Sequence, residues 1–134
     1  MILVDSSVWI DFFNASPSPA GAELQRLIEA AQPLALTGMI ITEILQGLTR
    51  DSSVIERSLG MWELLEPHGF ATYRAAAAIF RGARARGISL TTIDSLIAAI
   101  ALERRATVFT LDNDFSRIAR ISGLSLYKLP ASGT

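Results

Sequence analysis

The 134-residue chain has the length of one ordinary domain, and half of its residues are hydrophobic, so a single core can form without staples. The absence of cysteine excludes a disulfide framework and thiolate-bound zinc. Thirteen acidic against twelve basic side chains leave a net charge of −1, which excludes the strongly basic make-up of a DNA-coating protein and confines any nucleic-acid contact to a local patch.

Residues 2–4 form a short apolar run of β-formers without alternation, the pattern of a strand buried on both faces in a parallel sheet. No positively charged stretch precedes it and Asp5 follows at once, so no secretory leader is expected. Every apolar segment is broken by a charge well short of a membrane span, which points to a cytoplasmic protein without membrane contact. After a Pro/Ser loop at 15–19, residues 20–31 carry the helical spacing of Leu24, Leu27 and Ile28. Pro33 then punctuates the chain before a short strand at 34–36. Residues 39–48 fit a helix period, and 51–65 read as helical. A short strand is expected at 68–70, after Pro67, and an alanine-rich helix at 73–86, ended by Gly87. Thr91 or Thr92 caps a helix reaching 105 that is apolar nearly all round. A strand at 107–111, a helix at 115–121 and a last strand at 124–129 complete the pattern. Strands alternating with helices predict an α/β fold with a mainly parallel sheet and right-handed crossovers.

In so apolar a chain, the informative residues are acids placed where the pattern calls for core. Asp5 follows the first buried strand directly, and Asp112 follows the Val108-Phe109 run, both at the sheet edge where α/β folds bind ligands. Glu43 lies at the margin of its helix's apolar stripe, and Asp94 opens the most apolar helix with Ile97, Ala98 and Ala101 on its own face. Structural roles compete for each: Asp94 stands three residues after Thr91, as in a capping box, Asp112 is an ordinary helix N-cap, and Glu43 can reach solvent. Asp11 reads as a solvated helix residue, and His68, between Pro67 and Gly69, as structural. Carboxylates gathered in one low-dielectric pocket repel one another unless a cation sits among them. Oxygen ligands with no cysteine and a single histidine select Mg2+ or Mn2+ over zinc, copper or iron, an arrangement suited to phosphodiester hydrolysis.

Four segments together carry a resemblance: Leu3-Val4-Asp5-Ser6-Ser7-Val8-Trp9-Ile10, Ile41-Thr42-Glu43-Ile44, Thr92-Ile93-Asp94-Ser95-Leu96-Ile97-Ala98-Ala99 and Val108-Phe109-Thr110-Leu111-Asp112-Asn113-Asp114-Phe115. In order, spacing and total length they resemble the PIN-domain ribonucleases, specifically the VapC-like toxins of toxin–antitoxin pairs. The resemblance implies a PIN-like three-layer α/β fold over residues 1–130, with a twisted, mainly parallel five-stranded sheet flanked by helices, and a short tail at 131–134. It further implies a metal-dependent endoribonuclease that cuts RNA, a homodimer, and a VapB-like antitoxin whose C-terminal part enters the groove. By the same similarity Asp5, Glu43, Asp94 and Asp112 form the acidic quartet, with Asp114 a fifth candidate.

On this reading Asp5, Asp94 and Asp112 hold Mg2+ or Mn2+, with Asp112 preferred over Asp114 because it lies nearer the rigid strand end, and Glu43 positions or deprotonates the attacking water. Ser6 and Thr110, hydroxyls beside the acids, orient a carboxylate or a water, or serve as ordinary turn residues. Arg81, Arg84 and Arg86, with Arg74, Arg104, Arg105, Arg117 and Arg120, are candidates for a basic rim on phosphates, against the plainer role of a solvated helix face. Trp9, Phe12 and Phe13 are either core or contacts to a dimer mate or antitoxin. A phosphatase of the haloacid-dehalogenase type is disfavoured because position 7 is Ser rather than Asp, and a receiver-like domain because no paired acid is present. A PIN-like nucleic-acid or protein binding module without catalysis is the alternative.

Overall fold

The computed structural model describes residues 1–48 and 50–131. The elements run β1 (Ile2–Val4), α1 (Ser6–Phe12), α2 (Pro19–Glu29), β2 (Leu34–Thr37), α3 (Gly38–Gln46), α4 (Ser52–Leu59), β3 (Glu63–Leu65), α5 (Phe70–Ala85), α6 (Thr92–Arg104), β4 (Thr107–Phe109), α7 (Asn113–Ile121) and β5 (Ser125–Leu126). The five strands form one sheet in the order β3-β2-β1-β4-β5, every pair parallel. β1 is central, with Leu3 beside Ala35 on one side and Val108 on the other. Leu3, Val4, Ala35, Leu36 and Val108 are all fully buried, as strands covered on both faces must be.

From β1 the chain steps through β2 to β3 on one side, then returns past β1 to β4 and β5 on the other. Because each parallel crossover is right-handed, reversing the direction of travel places the later helices on the opposite face. The packing agrees: α1 contacts α2 and α3, and α3 contacts α4, while α5, α6 and α7 contact one another. The result is three layers, helices over sheet over helices, with the reversal point between β1 and β4. That is where α/β sheets open a crevice at their carboxyl edge.

The early helices are held together by polar groups that periodicity does not expose. Asp11, expected to be solvated, instead accepts hydrogen bonds from the Ser18 amide (3.1 Å), the Ser18 hydroxyl (2.7 Å) and the Gly21 amide (2.7 Å). It thereby supplies acceptors to the free amides at the start of α2, and the Ser18 hydroxyl is the main reason its carboxyl lies below the usual range. Glu23 is buried, paired with Arg26 at 2.6 Å and accepting a hydrogen bond from the Tyr127 hydroxyl, so that it ties α2 to the segment after β5. Trp9 belongs to the core: its indole N–H donates to the Val4 carbonyl at 3.1 Å, and its ring lies 6.0 Å from those of Phe12, Phe13 and Trp62.

Three expected elements are corrected. Residues 51–65 are not one helix: α4 stops before Gly60, and β3 takes up Glu63–Leu65, pairing with Ala35, Leu36 and Thr37. The strand expected at 68–70 is absent for the same reason; that stretch instead turns at Gly69, whose φ of +76° suits a residue without a Cβ, into α5 beginning at Phe70. β3 is an edge strand whose first two residues face solvent, so it carries no hydrophobic signal of its own. The last strand is also shorter than the expected 124–129. His68 is structural: its ring lies 3.7 Å from Glu103, and its amide donates to Thr72, whose hydroxyl in turn donates to Glu103. Among the described residues no helix is long and apolar enough to cross a membrane. Of the expected tail, residues 132–134 lie outside the described residues.

Candidate active site

Each acid reaches the carboxyl edge of the sheet by a short rigid route. Asp5 is the residue after β1; its amide donates to the Phe109 carbonyl at 2.9 Å, extending the β1–β4 ladder by one bond, and it is only 4% exposed. Glu43 rides on α3, which follows β2 with Thr37 as N-cap, the Thr37 hydroxyl accepting the Ile40 amide at 3.1 Å. Asp94 sits in the first turn of α6, 8% exposed. Asp112 and Asp114 bracket the start of α7, just past β4.

Asp94, Asp112 and Asp114 each present a carboxylate oxygen, all within 4.8 Å of one another. Asp5 and Glu43 stand outside this trio but within electrostatic reach of it: beyond the effect of burial, the Asp5 charge pushes both Glu43 and Asp94 upward, and the Asp112 charge also raises Glu43. The two capping alternatives part here: Asp112 caps its helix with its side chain and Asp94 does not. Thr91, not Asp94, supplies the cap of α6, its hydroxyl accepting the Asp94 amide at 3.0 Å, so the Asp94 cap bond uses backbone and leaves the carboxyl to the site. Asp112 does cap α7, with Oδ1 accepting the Asp114 amide at 2.9 Å, and its second oxygen is not spent on that bond.

Electrostatics follow from this crowding. Burial first, then the Asp112 charge, raises the Asp94 carboxyl from 3.8 to about 6. Burial and the Asp5 charge likewise raise Glu43, opposed by a hydrogen bond from the Ser6 hydroxyl to Oε1 at 3.3 Å. Arg117 pairs with Asp114 at 2.9 Å from the outer side. A buried carboxylate flanked by two others, with oxygen donors only, fits a hard divalent cation such as Mg2+ or Mn2+ and does not fit a soft metal.

The hydroxyls singled out in the sequence both touch acids: Ser6 donates to Glu43, and Thr110 donates to Asp5 Oδ2 at 2.8 Å. Arg81, Arg84 and Arg86 line three different hollows. Arg81 lines a groove of about 340 Å³ between α5 and α6, with Tyr73, Phe80, Thr92, Ser95 and Leu96, on the flank of the α6 turn that carries Asp94. Arg84 lies over the Phe80 ring at 5.7 Å and faces a separate hollow with Gly87 and Ile88, and Arg86 faces another with Ile121. Ser7 escaped notice in the sequence although it bonds to Asp5; a serine two residues after an acid at a strand end was the available signal.

The PIN domain family model matches residues 2–121. Ribonuclease VapC11 of Mycobacterium tuberculosis is 39% identical over 128 residues, which make up 92% of this chain and 96% of that protein. Among solved structures, VapBC2 from Rickettsia felis bound to a DNA fragment from its promoter aligns with a TM-score of 0.75 at 19% identity, covering 95% of this chain and 98% of that one. VapBC-5 of Mycobacterium tuberculosis, a member of the VapBC family of toxin–antitoxin systems, aligns with a TM-score of 0.65 at 22% identity, covering 92% and 94%. At such identities the structural likeness is one of fold, and it agrees with the three layers and five parallel strands above. Sequence and fold together place this chain in the PIN domain family, among the relatives of the VapC ribonucleases.

Proposed function

We propose that the protein is a divalent-metal-dependent endoribonuclease, the toxin of a toxin–antitoxin pair. The observation that carries this reading is the convergence of Asp94, Asp112 and Asp114 at the sheet's carboxyl edge, beside Asp5 and Glu43. Asp94, Asp112 and Asp114 hold Mg2+ or Mn2+, with Asp5 as a further ligand from β1. When bound, such a cation neutralises charge building on the scissile phosphate and acidifies the attacking water. Glu43, apart from the trio and raised by burial, takes the proton from that water, and the Ser6 bond to Oε1 leaves Oε2 to accept it. Arg81 contacts a phosphate from the α5 side, and Arg84 and Arg86 are assigned at most long-range attraction of the RNA backbone.

RNA as substrate is supported by the name Ribonuclease VapC11 of a relative similar over nearly the whole chain. A VapB-like antitoxin partner is supported by the VapBC assemblies that share this fold. A homodimer is supported by large apolar side chains left in solvent, Met61, Phe70 and Tyr73 among them, which a partner surface would cover. The cytoplasm, where RNA is met, is the site of action, and residues 1–130 act as one domain.

Digestion of total bacterial RNA by antitoxin-free protein tests the reading. Cutting with Mg2+ or Mn2+, lost in EDTA and in Asp94→Asn and Asp112→Asn, is expected. Cutting that persists in EDTA would refute the metal mechanism, and RNA binding without any cutting would leave a PIN-like binding module.

A further inference from the structure

We propose that Ser7 is a positioning residue for the acidic centre: its hydroxyl bolts the loop carrying Asp112 and Asp114 to Asp5, and fixes which Asp5 oxygen faces the cation. The inference rests on the nuclease reading above. Ser7 Oγ donates to Asp5 Oδ2 at 2.9 Å and accepts the Leu111 amide at 3.0 Å, joining α1 to the β4–α7 loop across 104 residues of chain. Thr110 makes the matching link, its hydroxyl donating to the same Asp5 Oδ2 at 2.8 Å and accepting the Asp112 amide at 2.9 Å. Each hydroxyl has one hydrogen. Both hydrogens go to Oδ2, so the 3.4 Å separation of the two hydroxyl oxygens is a side-by-side approach rather than a third bond.

The consequence is an asymmetric carboxylate. Oδ2 is occupied by two protein donors, and among the described residues no hydrogen bond engages Oδ1, which is therefore the oxygen available to a cation. The two amides drawn into the bracket are those of Leu111 and of Asp112 itself, two residues before Asp114. Ser7 thereby sets the separation between the Asp5 carboxylate and the trio, a role that requires both its donor and its acceptor. Leu111 is half exposed, so water can satisfy its amide when the serine is removed, and the fold does not depend on the bond.

The test is Mn2+ calorimetry on the full chain, with metal-free melting as control, for wild type, Ser7→Ala, Ser7→Cys and Ser7→Thr. Outer-shell partners of metal ligands typically govern affinity by about 10–100-fold. Ser7→Ala is expected to bind Mn2+ at least ~10-fold more weakly with little change in metal-free melting. Ser7→Cys, nearly isosteric but a poor donor, is expected to weaken binding likewise and stands in if the alanine variant does not fold. Ser7→Thr keeps the hydroxyl and is expected to restore binding to within ~3-fold, given the weight of outer-shell bonds. Wild-type affinity in the Ala or Cys variant, or a Thr variant as weak as Ala, would overturn the inference and leave the nuclease reading standing. Absence of Mn2+ binding by the wild type would overturn both.

Discussion

Replacing Asp94 by Asn should stabilise the metal-free protein. In the fold this carboxyl titrates near 6 instead of 3.8, chiefly because it is buried and next because Asp112 is close. Between pH ~4 and ~6 the folded chain thus keeps a proton that the unfolded chain has released, so stability falls as pH rises through that window and levels off above it. The full loss is about 3 kcal/mol, the free-energy equivalent of that displacement. Asn keeps the backbone amide that Thr91 caps and removes the charge, while burying an amide returns roughly 1 kcal/mol of the gain. In EDTA at pH 7.5, Asp94→Asn should be about 1–2 kcal/mol more stable than wild type, or ~3–8 °C in melting temperature for a chain of this size. Below pH ~4, where the wild-type carboxyl is protonated folded and unfolded, only the amide cost remains and the variant should be roughly 1 kcal/mol the less stable of the two. Comparing the pair cancels the opposite contributions of Asp11 and Glu23, whose carboxyls lie low and favour the fold at higher pH. Mn2+ at about 100 times its dissociation constant should reverse the order, stabilising the wild type by ~2.7 kcal/mol and the variant by much less. The assay is thermal melting monitored by circular dichroism at pH 4 to 8, with EDTA or Mn2+. An Asn variant less stable than wild type at pH 7.5 in EDTA, or a difference that does not change with pH, would refute the electrostatic reasoning.

Glu43→Gln should lower the RNA cleavage rate by about 10²–10⁴ while leaving the Mn2+ dissociation constant within ~3-fold, since the residue stands outside the trio and is proposed to act on the water's proton; calorimetry showing lost metal binding would instead make it a ligand. Arg81→Ala should weaken RNA binding and reduce the slope of log affinity against log salt by about 0.7, the value of one single-strand phosphate contact, whereas Arg86→Ala should leave the slope unchanged. Gly21→Ala should cost about 1–3 kcal/mol in chemical denaturation, because a Cβ there would meet Asp11 Oδ2 at 2.7 Å, Pro17 Cβ at 2.9 Å and the Phe12 amide nitrogen at 3.0 Å, forcing α1 and α2 apart.

Most of this architecture can be read from the sequence because its central strands are buried on both faces. Ile2–Val4 and Val108-Phe109 announce themselves as apolar runs, and the acids beside them stand out against that background. The helix α6 is legible for the same reason, being apolar nearly all round. What fails is the periphery. β3 is held by backbone pairing to β2 and shows solvent two of its three side chains, so hydrophobic periodicity merges it with α4. Asp11 and Glu23 look like surface acids because their partners, Ser18, Gly21 and Tyr127, come into reach only once helices and strand have packed.

In the site, residue types and order suffice to gather the acids into one region, and spacing cannot assign their tasks. Asp112 and Asp114 both stand within 4.8 Å of Asp94, so spacing alone does not choose between them as ligands. Asp5 lies one step back, anchored by Ser7 and Thr110. The three arginines at 81, 84 and 86 look like a cluster in sequence, yet helical rotation of about 100° per residue sends them to different hollows.

The central claim is that a divalent cation sits among the carboxylates of Asp94, Asp112 and Asp114. Anomalous diffraction from crystals grown with Mn2+ measures this directly. A single strong peak is expected within coordinating distance of oxygens from these three residues, with Asp5 contributing through Oδ1, and no peak at that position in Asp94→Asn. Density for Mn2+ elsewhere on the surface with none among these carboxylates would contradict it.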